Sequence, residues 1–472
     1  MSITNIINDI NSILSETNTN KFTEKTILVM ANTINIKLQS KYNNINFTLI
    51  LNLLKNIIKP KYKIKHCNID FKCFRDYEYL LPSVIIPKEY IQLENQFQHL
   101  LNLPQPEQRT KAWFEYRHNR ITASDTAAAI DLNPYEPVEN FILKKCDPAH
   151  KFLDNANVYH GKKYEPIATL IYEHIYNIRV TEFGALPSDK YDFLGASPDG
   201  ICSAKTLDNK FSEMLGRMLE IKCTVGRHIY TSGKVAGHIC PYYYYCQVQQ
   251  QLECCNLDKC DFWQCKIIEL KNRTEYLIDE CNNTRHTFGT NDETMQIDSL
   301  IKKGIILKFL PKNFEPEFDG DSIEWKSTFI YPPKLNLNEN EYDDWVIHIL
   351  SNWKELYKEI ADKYYFDKIV YWKLESSHNV IIERNKTFIS NILPILKNTW
   401  KQVNYYRNNI DKLDKLREIV IRRSKYKKFN TKIEIHNNLV KEKKLFLYLE
   451  NNLNISKNKN TIKNNDYCDF LD

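Results

Sequence analysis

Hydrophobic and polar positions change period several times along the 472 residues, and each change predicts an element. Residues 1–100 read as mostly helical. The stretch 47–58 (FTLILNLLKNII) has helical apolar density, and Pro60 stops it. Beyond Pro104 and Pro106, the spacing predicts a helix over 108–117, with Trp113, Tyr116 and Arg117 on one face. Thr122 or Ser124 is placed to cap a short helix over 125–130. The segment 159–176 predicts a helix with Ile167, Leu170, Ile171 and Ile175 as its buried stripe. The period then shortens to two, predicting strands over 180–186, 193–196 and 218–223, with a polar loop or hairpin over 202–215. A helix follows over 241–252, then strands over 261–270 and 275–279. Trp345, Ile349, Trp353, Leu356 and Ile360 form one stripe of a helix over 345–360. Segments 369–374 and 380–383 read as a hairpin, and 385–406 as a helix that Pro394 can kink. Strands interleaved with helices make this an α/β chain.

Composition narrows the class. The length holds two or three domains, and 43% hydrophobic residues are ample for a packed core. A net charge of +6 permits a polyanionic partner without demanding one. Residues 1–20 do not read as a secretory leader, and no apolar run approaches a membrane span, so a soluble, intracellular protein is expected. The 13 cysteines, six of them crowded at 240–265 without a C-x2-C pair, are then expected to be buried free thiols. Basic residues concentrate at Lys59, Lys61, Lys63 and Lys65, and again over 411–463, where 15 Lys/Arg face 6 Asp/Glu. That tail reads equally as a phosphate-tracking segment and as a solvated lysine-rich end. The polar stretch 281–341, with Glu315, Glu317, Asp319 and Asp321, reads as an insertion.

Candidate chemistry centres on 195–222. Gly195-Ala196-Ser197-Pro198-Asp199-Gly200 places an acid in a tight turn, and Leu219-Glu220-Ile221-Lys222-Cys223 places an acid and a lysine two apart on a strand. Residues i and i+2 share a strand face, so Glu220 and Lys222 point the same way. If the turn packs beside that strand, two carboxylates and an ammonium converge, an arrangement suited to Mg²⁺ and phosphates. Read separately, the halves are an ordinary turn and a cross-strand charge pair. Downstream, Arg227, His228, Lys234 and His238 each read as surface or as a phosphate contact.

Together the two halves resemble the PD-(D/E)XK nuclease motif. The flanks sharpen this. Trp113-x3-Arg117-x3-Ile121-Thr122-Ala123-Ser124, Gly161-x3-Glu165-Pro166-x-Ala168 and Tyr244-x2-Gln247-Val248-Gln249 occur in the order seen in the lambda-exonuclease-like, YqaJ-type viral recombinase family. The resemblance spans Trp113 to Leu252 and implies a restriction-endonuclease-like core, a mixed sheet flanked by helices. It implies Asp199 and Glu220 as metal ligands with Glu165 contributing, Lys222 as the catalytic amine, and Gln247 and Tyr244 lining the site. It implies Arg117 and Ser124 as the grip on a DNA 5′-phosphate. Taken alone, Glu165 also reads as a first-turn helix acid. The implied activity is a Mg²⁺-dependent exonuclease, with Mn²⁺ able to substitute. It would act 5′ to 3′ on duplex DNA ends in viral recombination by strand annealing, with an annealing protein as partner and a homotrimer as assembly.

The expected organisation is a helical region 1–104, a nuclease domain 105–408 interrupted at 281–341, and a basic tail 409–472. Two other readings stand beside the exonuclease: an endonuclease on the same scaffold, and a catalytically silent DNA-end-binding protein.

Overall fold

The computed structural model describes residues 3–15, 24–39, 41–42, 45, 47–58, 83–106, 110–147, 155–294, 301–317 and 321–427. The Lys59–Lys65 patch, Asp319 and the basic tail beyond 427 lie outside the described residues.

A mixed sheet organises the molecule. Its central strand, Met218–Cys223, runs parallel to Lys259–Leu270 on one side and antiparallel to Gly200–Cys202 on the other. Beyond Lys259–Leu270 comes the strand Tyr364–Glu383, then Lys303–Pro311 and Thr328–Ile330, all antiparallel. Met218–Cys223 carries apolar residues on both faces, and its first four positions are buried. This is the pattern of an interior strand covered on both sides. The helix Ala156–Tyr176 packs on one face with Ile167, Ile171 and Tyr172. The helix Tyr242–Cys255 covers the other with Cys246, Val248 and Leu252. A small second sheet, ordered Ile121–Thr122, Leu194–Ala196, Leu186–Pro187, leads the chain into the Asp199 turn. The fold is thus the expected mixed α/β core flanked by helices.

Several local expectations are corrected. Residues 275–279 are not a strand: Arg273–Ile278 is a helix, capped by the Asn272 side chain on the Glu275 N–H. The hairpin expected over 369–383 is one 20-residue strand, Tyr364–Glu383. Its polar Ser376-Ser377-His378-Asn379 centre is no turn, because it is clamped between Lys259–Leu270 and the parallel strand Arg285–Phe288. Residues 180–186 are two short strands in different sheets, Val180–Thr181 and Leu186–Pro187. The stretch 281–341 contributes Lys303–Pro311, whose Ile305, Ile306, Leu307 and Phe309 are buried.

At the N-terminus, Ile3–Ser15, Glu24–Gln39 and Phe47–Ile58 gather a core of their own around Ile6, Ile34 and Leu54. The helix Ile91–Asn102 sends Phe97 and Leu100 into the main core, although it precedes the two prolines. All ten described cysteines are free, nine of them buried, and burial pushes the Cys254 thiol up to about 12. No described helix is long and apolar enough to cross a membrane.

Candidate active site

The acid turn and the Glu-x-Lys strand are joined by a backbone bond. The Ile221 N–H donates to Asp199 Oδ2 at 2.6 Å, so Asp199 is held at the residue between Glu220 and Lys222. Lys222 donates its ammonium to Glu220 Oε1. Glu220 is only 1% exposed, and such a buried carboxylate must be supplied with donors. The Tyr242–Cys255 helix supplies them: Gln247 Nε2 reaches Oε1 at 2.6 Å and Gln251 Nε2 reaches Oε2 at 2.7 Å. Spacing of four along a helix puts both amides on one side. The Tyr244 ring covers the Lys222 ammonium at 4.6 Å, and the Arg227 guanidinium lies 5.8 Å from the same ring.

Electrostatics gives the pocket its character. Burial, and then the charges of Glu220 and Glu165, push the Asp199 carboxyl well above the usual aspartate range. Burial would lower the proton affinity of Lys222, but Glu220 and then Asp199 more than offset this and raise it. The Cys223 thiol is pushed up by burial, with Glu165 and Asp199 adding to the shift. Glu165, itself exposed, thus acts on these groups through its charge. It lies ten positions inside its helix rather than in the first turn, because the helix begins at Ala156 with Asn155 as its cap. The helix-dipole reading of this acid does not hold. The donor set is hard oxygen with an excess of negative charge, which fits a hard divalent cation. Among the described residues, no three His, Cys, Asp or Glu side chains are grouped so as to hold a metal ion.

Arg117 and Ser124 meet as well. The Arg117 guanidinium donates to Ser124 Oγ at 3.3 Å and lies 4.6 Å from the Trp113 ring. Thr122 and Ser124 do not act as side-chain helix caps. Instead the Thr122 hydroxyl donates to buried Asp125 at 2.7 Å, and Asp125 also pairs with Lys144 and Lys145, each at 2.8 Å. Thr122 pairs with Gly195 across the small sheet, so this motif and the Asp199 turn share a strand pair.

Two glutamines that the motifs did not single out, and Arg227, which the sequence left open between surface and phosphate contact, complete the site. Gln250, fully buried, donates to the Ile121 and Gly195 carbonyls at 2.9 and 3.0 Å and accepts from Thr126, tying the two strands together. Gln251 holds Glu220. Arg227 donates to Gln264 at 2.7 Å, and its buried Nη1 has no hydrogen-bond partner among the described residues. The signal for the first two was present: a glutamine run inside an otherwise buried helix requires partners. On the exposed loop beyond Arg227, His228 meets Tyr230 edge to face and Tyr230 meets His238 at a tilt, each with centroids 4.8 Å apart.

With this geometry in place, comparison with known proteins shows what the chain is similar to. Residues 112–258 match the YqaJ-like viral recombinase domain. The matched stretch contains every site residue described above. A curated relative, the uncharacterized protein R354 of Acanthamoeba polyphaga mimivirus, is 34% identical over 331 residues, 70% of this chain. The chain spans 58% of that relative's length. Among solved structures, the alkaline exonuclease LHK-Exo from Laribacter hongkongensis, alone and in complex with dAMP, overlaps at a TM-score of 0.32 with 16% identity, covering 64% of this chain and 97% of that one. The YqaJ-type resemblance read from the motifs thus holds.

Proposed function

We propose that this chain is a Mg²⁺-dependent deoxyribonuclease that degrades duplex DNA from its ends, 5′ to 3′, leaving 3′ single strands for recombination by annealing. The observation that carries this reading is the joining of Asp199, Glu220 and Lys222 through the Ile221 N–H and the Lys222–Glu220 bond. Asp199 and Glu220, with Glu165, would hold the cation (Mn²⁺ can substitute), which supplies polarisation of a phosphate oxygen and acidification of water. Lys222 orients the attacking water and offsets charge developing on the phosphate. Gln247 and Gln251 fix the Glu220 carboxylate, and Tyr244 confines the ammonium of Lys222 by covering it. Arg227, with a guanidinium nitrogen to spare, contributes a phosphate contact. Arg117 and Ser124 grip the 5′-terminal phosphate and impose polarity. A basic tail adds sequence-independent affinity. A strand-annealing protein and two further copies of the chain are the partners this reading calls for.

The test is degradation of linear duplex and of a covalently closed circle in Mg²⁺, next to Lys222→Ala. Linear DNA should be consumed, the circle spared, and the variant slowed by roughly a hundredfold or more. Cutting of the circle would establish the endonuclease reading instead. Equal rates for both proteins, or no cleavage in Mg²⁺ or Mn²⁺ at any pH, would end the nuclease assignment.

A further inference from the structure

The rings beside Lys222 do not stop at Tyr244. Tyr243 packs against Tyr244 with centroids 4.3 Å apart, and Tyr135 meets Tyr243 edge to face at 5.7 Å. The series runs from the half-buried Lys222 ammonium to a ring that is 79% exposed. A core packing role explains Tyr244, which also touches Phe262, but not Tyr135, which spends little of its surface on the protein. Nor is Tyr135 on a loose loop. Its own N–H donates to Asn133 Oδ1 at 3.0 Å. Its neighbour Glu136 pairs with Lys144 at 2.7 Å, and Lys144 pairs in turn with buried Asp125, next to Ser124. The exposed ring is thereby held in one frame with the Arg117–Ser124 pair and with Lys222.

From this we infer that Tyr135 is the outer rung of a nucleobase-stacking ladder, receiving an unpaired base of the single strand that adjoins the scissile end. Solvent-facing aromatic rings combined with cationic side chains bind single strands without sequence preference. The cations here are Lys222 and Arg227, at the inner end of the ladder. The inference rests on the nuclease reading for its choice of ligand, but it concerns binding and is tested without turnover.

The experiment measures equilibrium binding of the full chain by fluorescence anisotropy in EDTA. The probes are two duplexes alike except for a short single-stranded end, one carrying bases and the other abasic sugars. The wild type should prefer the base-bearing end by about fivefold or more. Tyr135→Ala should lose the preference while keeping its affinity for the abasic end, and Tyr135→Phe should retain it. Equal binding of the two ends by the wild type, or an undiminished preference in Tyr135→Ala, would overturn the inference. So would a change of oligomeric mass in Tyr135→Ala with the preference intact, since the ring would then face another copy. Loss of cleavage in Mg²⁺ with the base preference preserved would instead count against the nuclease reading alone.

Discussion

Asp199 shows how one residue's surroundings set its work. Its carboxyl is crowded by burial and by two other acids, so its charged form is disfavoured. A carboxyl whose folded-state pKa is raised costs stability above that raised pKa. The cost fades as pH falls through it toward the ordinary value of 3.8. In EDTA near neutral pH, Asp199→Asn should therefore be more stable than the wild type by urea unfolding. The difference should shrink on acidification, and activity should be lost throughout. An Asn variant that is less stable at neutral pH would show that Asp199 is needed for packing rather than held for a cation. On the proposed metal-dependent reading, Mg²⁺ affinity should rise with pH across the raised titration.

At the scale of elements, the Tyr242–Cys255 helix works as a clamp. Gln247 and Gln251 reach the central strand, Gln250 reaches the small sheet, and Gln249 donates to the Glu383 carbonyl and accepts from the Asn385 N–H. Each amide replaces a lost water contact with a directed bond, so the elements are fixed in register as well as in contact. The small sheet is equally tight. A Cβ on Gly195 would lie 2.6 Å from the Tyr116 hydroxyl and 3.1 Å from its ring. Tyr116 belongs to the same helix as Arg117, Lys111–His118. Gly195→Ala should displace that helix, cost about 1–3 kcal/mol in thermal or urea unfolding, and reduce discrimination between 5′-phosphorylated and 5′-hydroxyl ends. Unchanged end selectivity would show that the helix tolerates the shift.

The whole molecule is built so that distant sequence supports the site. Lys303–Pro311 pairs along the outer half of Tyr364–Glu383, whose other edge carries Lys259–Leu270 and then the Glu220 strand. An element from the polar stretch 281–341 is thus separated by only two strands from Met218–Cys223. Excising 281–341 should yield insoluble or unfolded protein, judged by far-ultraviolet circular dichroism and solubility. A folded, active deletion would mean that the sheet closes without it. The same connectivity binds the candidate site to long-range pairing, because the acids, the lysine and the Arg117–Ser124 pair come from four separate stretches between Trp113 and Leu252.

Local chemistry was open to reading because period and residue type are properties of short stretches. The alternation at 218–223, the acid in its Pro-Asp-Gly turn and the helical stripe of 159–176 each follow from a few neighbouring side chains. The order of the motifs then pointed to the family. What no short stretch contains is partnership. Whether 369–383 turned or ran straight depended on strands on both sides, and Glu165 could be placed only once its helix start at Ala156 was known. Likewise, the glutamines became clamps only when the sheet lay beneath them. Periodicity is encoded in consecutive residues, but burial, charge crowding and hydrogen-bond satisfaction depend on which segments meet, and only the folded chain decides that.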